Sequence, residues 1–192
     1  MTRPGDRNGE GGVFAALQSV ADGIAAAATW AAAACLAALL AIVLGEILLG
    51  VLSKLSPVFP SSIGFAWEYS AYLMGAAFML GSGLALRAGM HVRVELLLAM
   101  RGRRYARVFE TIAAALGSAF AVLLAGSLAR FALQSYDFNQ RSPESYTPLW
   151  IPQSALALGA AVLALQMLVR LAACLVGRSL EDRALGVATL PE

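Results

Sequence analysis

The chain has few charged residues, a single histidine and only two cysteines. Of its 192 residues 14% are charged and 59% are hydrophobic, and the formal net charge is +2. Soluble domains usually have about 25% charged residues, so this composition indicates a membrane protein. Nucleic-acid binding is disfavoured as well, because it needs a basic face on a folded domain.

The scarcity of ligand residues excludes most kinds of active site. His91 is the only histidine, so there is no pair of axial ligands for a transmembrane haem and no second imidazole for a metal. Cys35 and Cys174 are not part of a CxxC motif, which argues against a disulfide oxidase. Walker, HExxH and Rossmann motifs are missing from the sequence. The sequence therefore predicts a protein that is not an enzyme and binds neither cofactor nor metal.

Four apolar runs are long enough to cross a membrane as helices. About 20 helical residues span a hydrocarbon core about 30 Å thick. The runs are rich in Ala, Leu and Gly and lack the alternating pattern of a membrane β-barrel. We therefore predict an all-α membrane protein with four transmembrane helices. The expected spans are about 24–52, 63–86, 108–128 and 149–169.

The residues outside these runs are too few in any one segment to fold as a soluble domain. The predicted four-helix transmembrane domain covers 24–176, between a polar N-terminal tail at 1–23 and a cytoplasmic tail at 177–192. Apolar residues at helical spacing within 13–23 are typical of either a short interfacial helix or the first turns of the first span. That span is too long for a signal peptide, so we expect it to be retained.

Positive charge is concentrated in one part of the chain. Six of the fourteen Lys and Arg residues lie between Arg87 and Arg107. Positive residues next to membrane spans remain on the cytoplasmic side. With both termini in the cytoplasm, eleven Lys and Arg residues lie inside and three lie outside. This asymmetry predicts cytoplasmic termini, and the arginine-rich segment is also suited to anionic lipid headgroups.

Two carboxylates fall inside the apolar runs. Glu46 lies near the outer end of the first span and Glu68 near the outer start of the second. A charge in lipid is unfavourable, so such side chains usually face protein or water. One interpretation is an ion or proton path; the other is a polar clamp between helices or subunits, with Lys54 close enough along the chain to pair with Glu46. The lack of a basic partner at this depth and of a broken helix favours the clamp.

The segment WEYSAYLMGAAFMLGSGLALRAGMHVRVELL resembles the DctQ-type small membrane subunit of tripartite ATP-independent periplasmic transporters. In that family a Glu near the outer start of the second span precedes a helix that ends in Arg-x-Gly-x-His, followed by an acid and leucines. The matching positions here are Trp67, Glu68, Tyr72, Gly81, Arg87, Gly89, His91, Val92, Glu95 and Leu96. The family's Pro- and Trp-containing entry to the last helix is similar to Ser142, Pro143, Pro148, Trp150 and Pro152.

The resemblance implies a small permease subunit of a secondary, ion-gradient-driven symporter for organic anions such as carboxylates. Such a subunit is a multi-pass protein of the bacterial inner membrane. It is a scaffold for a large membrane permease subunit of DctM type and works with a periplasmic substrate-binding protein, without a substrate site of its own. The alternative is the small membrane subunit of a tripartite tricarboxylate transporter, which has a similar size and several spans.

The resemblance and the positions of charged residues together provide candidate site residues. For a subunit interface or structural motif they are Glu46, Trp67, Glu68, Arg87, Gly89, His91, Arg93 and Glu95. Gly89 permits a sharp exit from the second span, after which we expect a short interfacial helix. One interpretation of His91 and Glu95 is a pair one turn apart that fixes this exit; the other is two solvated loop residues. For a periplasmic contact the candidates are Ser142, Pro143, Pro148 and Trp150, in a loop that we expect to dock the binding protein.

Overall fold

The computed structural model describes residues 6–56, 58–87 and 103–176, and four α-helices account for most of them. The helices are α1 (Asp6–Leu55), α2 (Ala66–Arg87), α3 (Arg103–Asp137) and α4 (Trp150–Val176). The described ranges hold no β-strand, only an isolated antiparallel bridge between Arg141 and Pro148. The prediction of an all-α protein is confirmed.

Three of the helices are long and apolar enough to cross a membrane by length and composition. The candidate spans within the described part of the chain are Gln18–Leu55, Thr111–Asp137 and Trp150–Leu175. They overlap the first, third and fourth spans expected from the sequence. The second expected span, 63–86, coincides largely with α2 and stays a prediction. The short interfacial helix expected after α2 lies outside the described residues.

Helix α1 is much longer than one membrane crossing requires. Its 50 residues run without a break from Asp6, so the segment 13–23 continues directly into the first apolar run. At 1.5 Å per residue the helix is about 75 Å long, against a hydrocarbon core of about 30 Å. It ends at Leu55, and Ser56 precedes Pro57, a position where helical backbone is disfavoured.

Helix α3 ends in a Schellman motif. The N–H of Gln140 donates to the carbonyl of Ser135 at 2.9 Å, and the N–H of Asn139 donates to the carbonyl of Tyr136 at 3.0 Å. Asn139 has a φ of 47°, and asparagine tolerates this left-handed backbone better than most residues. The motif turns the chain sharply and fixes the start of the α3–α4 loop, residues 138–149.

Helix α4 is the centre of the arrangement. It contacts each of the other three helices, whereas α3 contacts only α4 among the described helices. Helix α2 also packs along α1. The buried residues at these contacts are mostly alanines, which let helices approach closely without polar groups. The fold is therefore an open array with α3 at one edge rather than a closed four-helix bundle.

Helices α2 and α4 approach each other closely where they cross. A Cβ atom added to Gly159 would lie 2.6 Å from the carbonyl carbon of Met79 and 2.8 Å from the backbone nitrogen of Leu80. On α2, a Cβ at Gly75 or Gly83 would lie 3.2 Å from a side-chain carbon of α4. Residues without a side chain on both helices thus bring the two backbones together.

Candidate functional site

Glu68 joins helix α2 to the α3–α4 loop at one end of the helix array. The residue lies in the first turn of α2 and is 8% exposed. The hydroxyl of Tyr72, one turn along the helix, donates to Oε1 of Glu68. The N–H of Ser145 donates to Oε2 at 3.2 Å. Hydrogen bonds to an ionised carboxylate are stronger than neutral ones, so these two donors replace part of its lost hydration.

Tyr69 makes a second connection between α2 and the same loop. Its hydroxyl lies 2.9 Å from the hydroxyl of Thr147, which in turn lies 2.6 Å from the hydroxyl of Ser145. The rings of Tyr69 and Tyr72 meet edge to face, with centroids 6.1 Å apart. We call this group the loop clamp; its members are Glu68, Tyr69, Tyr72, Ser145 and Thr147. It holds together segments that are more than 70 residues apart in the sequence.

The α3–α4 loop also closes on itself. The N–H of Ser142 donates to the carbonyl of Thr147 at 2.9 Å, and the N–H of Leu149 donates to the carbonyl of Gln140 at 3.0 Å. Tyr146 projects from the closed loop, with 71% of its side chain exposed and a φ of 53°. A non-glycine residue at positive φ persists only where its surroundings fix the backbone. The loop therefore has a defined conformation that is fixed by its own hydrogen bonds.

The four residues expected to contact a periplasmic partner have different environments in this loop. Ser142 is only 3% exposed, and its hydroxyl accepts the N–H of Glu144 at 3.3 Å. Pro143 is exposed, and Pro148 is half-buried in the bridge to Arg141. Trp150 is 38% exposed and packs edge to face on Tyr136, with ring centroids 5.8 Å apart. Of the four, Pro143 and Trp150 offer the accessible surface.

Glu46, on α1, makes the corresponding contact with the α1–α2 loop, residues 56–65. Its Oε2 accepts the N–H of Ile63 at 2.9 Å. The suggested pairing with Lys54 does not form: eight helical residues separate the two side chains by about 12 Å along the axis, and Lys54 is exposed. Glu46 thus ties the loop that precedes α2, whereas Glu68 ties the loop that precedes α4.

The described residues contain no group of three or more His, Cys, Asp or Glu side chains that could hold a metal ion. What the two carboxylates do chemically is to accept hydrogen bonds from loop backbone. Each bond fixes the position of a loop relative to a helix at the same end of the array. The arrangement is suited to presenting two shaped loops on a fixed frame.

Among the members of the predicted subunit interface whose exposure the structure describes, Trp67 is the most open. It is 76% exposed and begins a stripe on α2 that continues through Ala71, Met74 and Phe78 at helical spacing. Arg87 is the last residue of α2. The remaining candidates of this motif, Gly89, His91, Arg93 and Glu95, lie outside the described residues.

Two polar contacts inside the array were missed by the sequence reasoning. The side-chain nitrogen of Gln166 on α4 donates to the carbonyl of Ala21 on α1 at 2.7 Å. The hydroxyl of Ser118 on α3 lies 2.7 Å from the carbonyl of Ala114 in its own helix and 3.0 Å from the carbonyl of Met167 on α4, so the two carbonyls share its one hydrogen. A polar residue within an apolar run is the signal that could have indicated both. The close contact at Gly159 was also missed, because this glycine is one of many small residues in the sequence.

A family model described as tripartite ATP-independent periplasmic transporters, DctQ component, matches residues 47–177. The match covers more than half of the chain, and it includes the whole loop clamp and the whole of α2, α3 and α4. No curated protein and no solved structure matches the chain.

Proposed function

Because the chain belongs to the DctQ family of tripartite ATP-independent periplasmic transporters, we propose that it is the scaffold subunit of an ion-gradient-driven importer of organic anions. The family is a transporter component and not an enzyme family, and it implies a DctM-type large subunit and a substrate-binding protein as partners. Carboxylates are the expected substrates, and symport across the bacterial inner membrane is the expected process. The observation that carries the proposal is the match over residues 47–177.

The proposed topology has four spans and both termini in the cytoplasm. It rests on the asymmetry of Lys and Arg along the chain, and it makes α2 the second crossing. In this orientation the loop clamp and the α1–α2 loop face the periplasm. Chain size and number of spans also fit the small subunit of a tripartite tricarboxylate transporter. The DctQ family is favoured because its model matches residues 47–177, which include the segment that carries the resemblance.

A scaffold role is supported by what the internal polar groups do. Glu46, Glu68, Ser118 and Gln166 each form hydrogen bonds within the chain, to loops or between helices. These side chains hold the frame together, and small residues bring the helices close. A large subunit that moves during transport would have such a frame as its fixed support.

For the large subunit we propose the exposed stripe of α2 as the docking surface. Trp67, Met74 and Phe78 are 76%, 64% and 72% exposed, and they lie on the side of α2 away from its packing contacts. Large apolar side chains with few rotamers contribute strongly to protein interfaces. The stripe also lies within the matched region, next to the motif that carries the family resemblance.

Co-purification and reconstituted uptake test the proposal. The chain would be expressed with the large permease gene and the binding-protein gene next to its own, and purified in mild detergent. We expect a stable complex with the permease, and loss of uptake in proteoliposomes from which this chain is omitted. A chain that purifies alone and itself moves a solute would contradict the scaffold role, and it would make Glu46 and Glu68 the first residues to examine for transport.

For the binding protein we propose the tip of the α3–α4 loop as the contact. The substitution Tyr146→Ser removes its most exposed aromatic side chain, and we expect a loss of binding-protein affinity of about tenfold, as for a central aromatic contact. The matched control is Phe59→Ser, which removes an exposed aromatic side chain from the α1–α2 loop. The affinity would be measured by surface plasmon resonance on the nanodisc-embedded complex. An affinity that Tyr146→Ser leaves unchanged would contradict the proposal.

A further inference from the structure

The side of α3 that faces away from α4 carries a groove that the proposed function does not use. The groove has a volume of about 830 Å³, and it is an open surface groove because all the residues that line it belong to α3. Its apolar walls are formed by Phe120, Leu123 and Phe131, and Arg130 and Gln134 lie at one end. Beside them, the space next to Gly126 is open, with nothing within 4 Å of where a Cβ atom would be.

Arg130 is the chemical feature that distinguishes this groove from an ordinary lipid-facing surface. Its side chain is exposed, and it forms no hydrogen bond or ion pair with the residues that the structure describes. It lies six residues, or about 9 Å along the helix, inward from Tyr136, whose ring packs on Trp150. Paired aromatic residues of this kind mark the membrane interface, and a long arginine side chain reaches toward that level.

We propose that this groove binds one phospholipid molecule of the bilayer, with an acyl chain along Phe120, Leu123 and Phe131 and the phosphate at Arg130. A guanidinium group matches a phosphate in charge and can donate two parallel hydrogen bonds to it. Gln134, one turn further toward the interface, adds an amide donor on the same face. The site needs no assumption about which side of the membrane this end of α3 faces, because both leaflets contain phosphate groups at this depth.

A lipid fits this face better than a partner helix does. Helix interfaces in membranes are rich in small residues, and on α3 those residues, Ala114, Ser118 and Ala121, are buried on the opposite face against α4. The outer face instead presents large side chains, with Phe120 and Leu123 68% and 73% exposed. A partner helix would also have to place a carboxylate opposite Arg130, whereas every phospholipid carries the complementary charge.

Native mass spectrometry of the full chain in complex with the large permease tests the proposal. The probes are dioleoyl-phosphatidylethanolamine and dioleoylglycerol, which share their acyl chains but differ in the phosphate. We expect the wild type to retain the phospholipid and not dioleoylglycerol. The variant Arg130→Gln should lose phospholipid affinity about tenfold, as for the loss of a charge-assisted hydrogen bond. The matched control Arg141→Gln, on an exposed arginine outside the groove, should bind as the wild type does.

A second variant tests the apolar wall independently of charge. Leu123→Trp fills the groove, and we expect it to lower phospholipid retention although Arg130 is intact. Equal retention by wild type and Arg130→Gln, or equal retention of the two probes, would overturn the proposal. So would a photo-crosslinker at position 123 that joins the chain to the large permease rather than to lipid, since that face would then be a protein interface.

Discussion

At the scale of single residues, Glu68 illustrates how a carboxylate is retained in an apolar chain without a cationic partner. Its two oxygens receive a tyrosine hydroxyl from its own helix and a backbone N–H from a loop 77 positions away. The negative charge also lies in the first turn of α2, where the helix dipole favours it. Both carboxylate oxygens therefore have hydrogen-bond donors, and these bonds specify which loop lies against α2.

The substitution Glu68→Ala should loosen the α3–α4 loop. It removes the acceptor for Tyr72 and Ser145 and leaves the half-buried N–H of Ser145 without this partner, which is unfavourable. We expect a lower melting temperature in detergent and faster tryptic cleavage after Arg141, which is exposed in this loop. The matched control Glu144→Ala removes an exposed carboxylate from the same loop and should leave both readings unchanged. Equal cleavage rates for the two variants would show that the clamp does not restrain the loop.

At the scale of helices, α4 determines the arrangement because it alone contacts the other three. Its seam with α2 depends on the absence of side chains at Gly159, Gly75 and Gly83. Its contact with α1 includes a hydrogen bond from the side chain of Gln166 to the backbone carbonyl of Ala21. Its contact with α3 includes a hydrogen bond from the hydroxyl of Ser118 to the backbone carbonyl of Met167. Such bonds between membrane helices stabilise packing only modestly, so close approach is the larger factor.

The substitution Gly159→Ala should therefore destabilise the crossing of α2 and α4. The added methyl group would meet the backbone of Met79 at 2.6 Å, and backbone cannot rotate away as a side chain can. Overpacking of this kind lowers the free energy of unfolding by about 1–3 kcal/mol. Gly126→Ala is the control, because it adds the same methyl group in open space on α3. The unfolding midpoint of each variant would be measured in a titration with a denaturing detergent. Similar midpoints for the two variants would contradict the predicted clash.

At the scale of the whole molecule, an open array with α3 at its edge exposes much more apolar surface than a compact bundle would. Many large apolar side chains on α1, α2 and α3 are more than half exposed, including Trp30, Phe78 and Phe120. In a bilayer such surface is covered by lipid or by a partner at no penalty. We expect an open frame of this kind to broaden the footprint of the complex that the proposed function assigns it to.

The orientation of this frame can be tested by cysteine labelling in intact cells. In a background with Cys35→Ala and Cys174→Ala, the variant Glu144→Cys places a thiol in the exposed part of the α3–α4 loop. We expect an impermeant maleimide to label it from the periplasm, because the positive residues next to the spans predict cytoplasmic termini. Ser179→Cys, in the C-terminal tail, is the control and should react only after the cells are opened. The reverse pattern would invert the topology.

The helical fold and the family motif were accessible from the sequence, because each depends on residues that lie close together along the chain. Apolar runs of sufficient length specify helices wherever they lie, and the backbone of such a helix satisfies its own hydrogen bonds in lipid. The segment Trp67 to Leu96 similarly carried the family resemblance within a single stretch. The two carboxylates were noticed for the same reason, as charges within apolar runs.

What only the tertiary structure decided is which of these elements touch. Glu68 accepts a hydrogen bond from Ser145, Gln166 donates one to Ala21, and Gly159 lies against the backbone of Met79. The residues in these pairs are separated by tens to more than a hundred positions in the sequence. The pairing of Glu46 with Lys54, suggested by nearness along the chain, was wrong because a helix holds them about 12 Å apart and the backbone of Ile63 is nearer. In apolar helices built from similar small residues, hydropathy is the same on every side. The neighbours are therefore chosen by shape and by single polar contacts, which exist only once the helices have assembled.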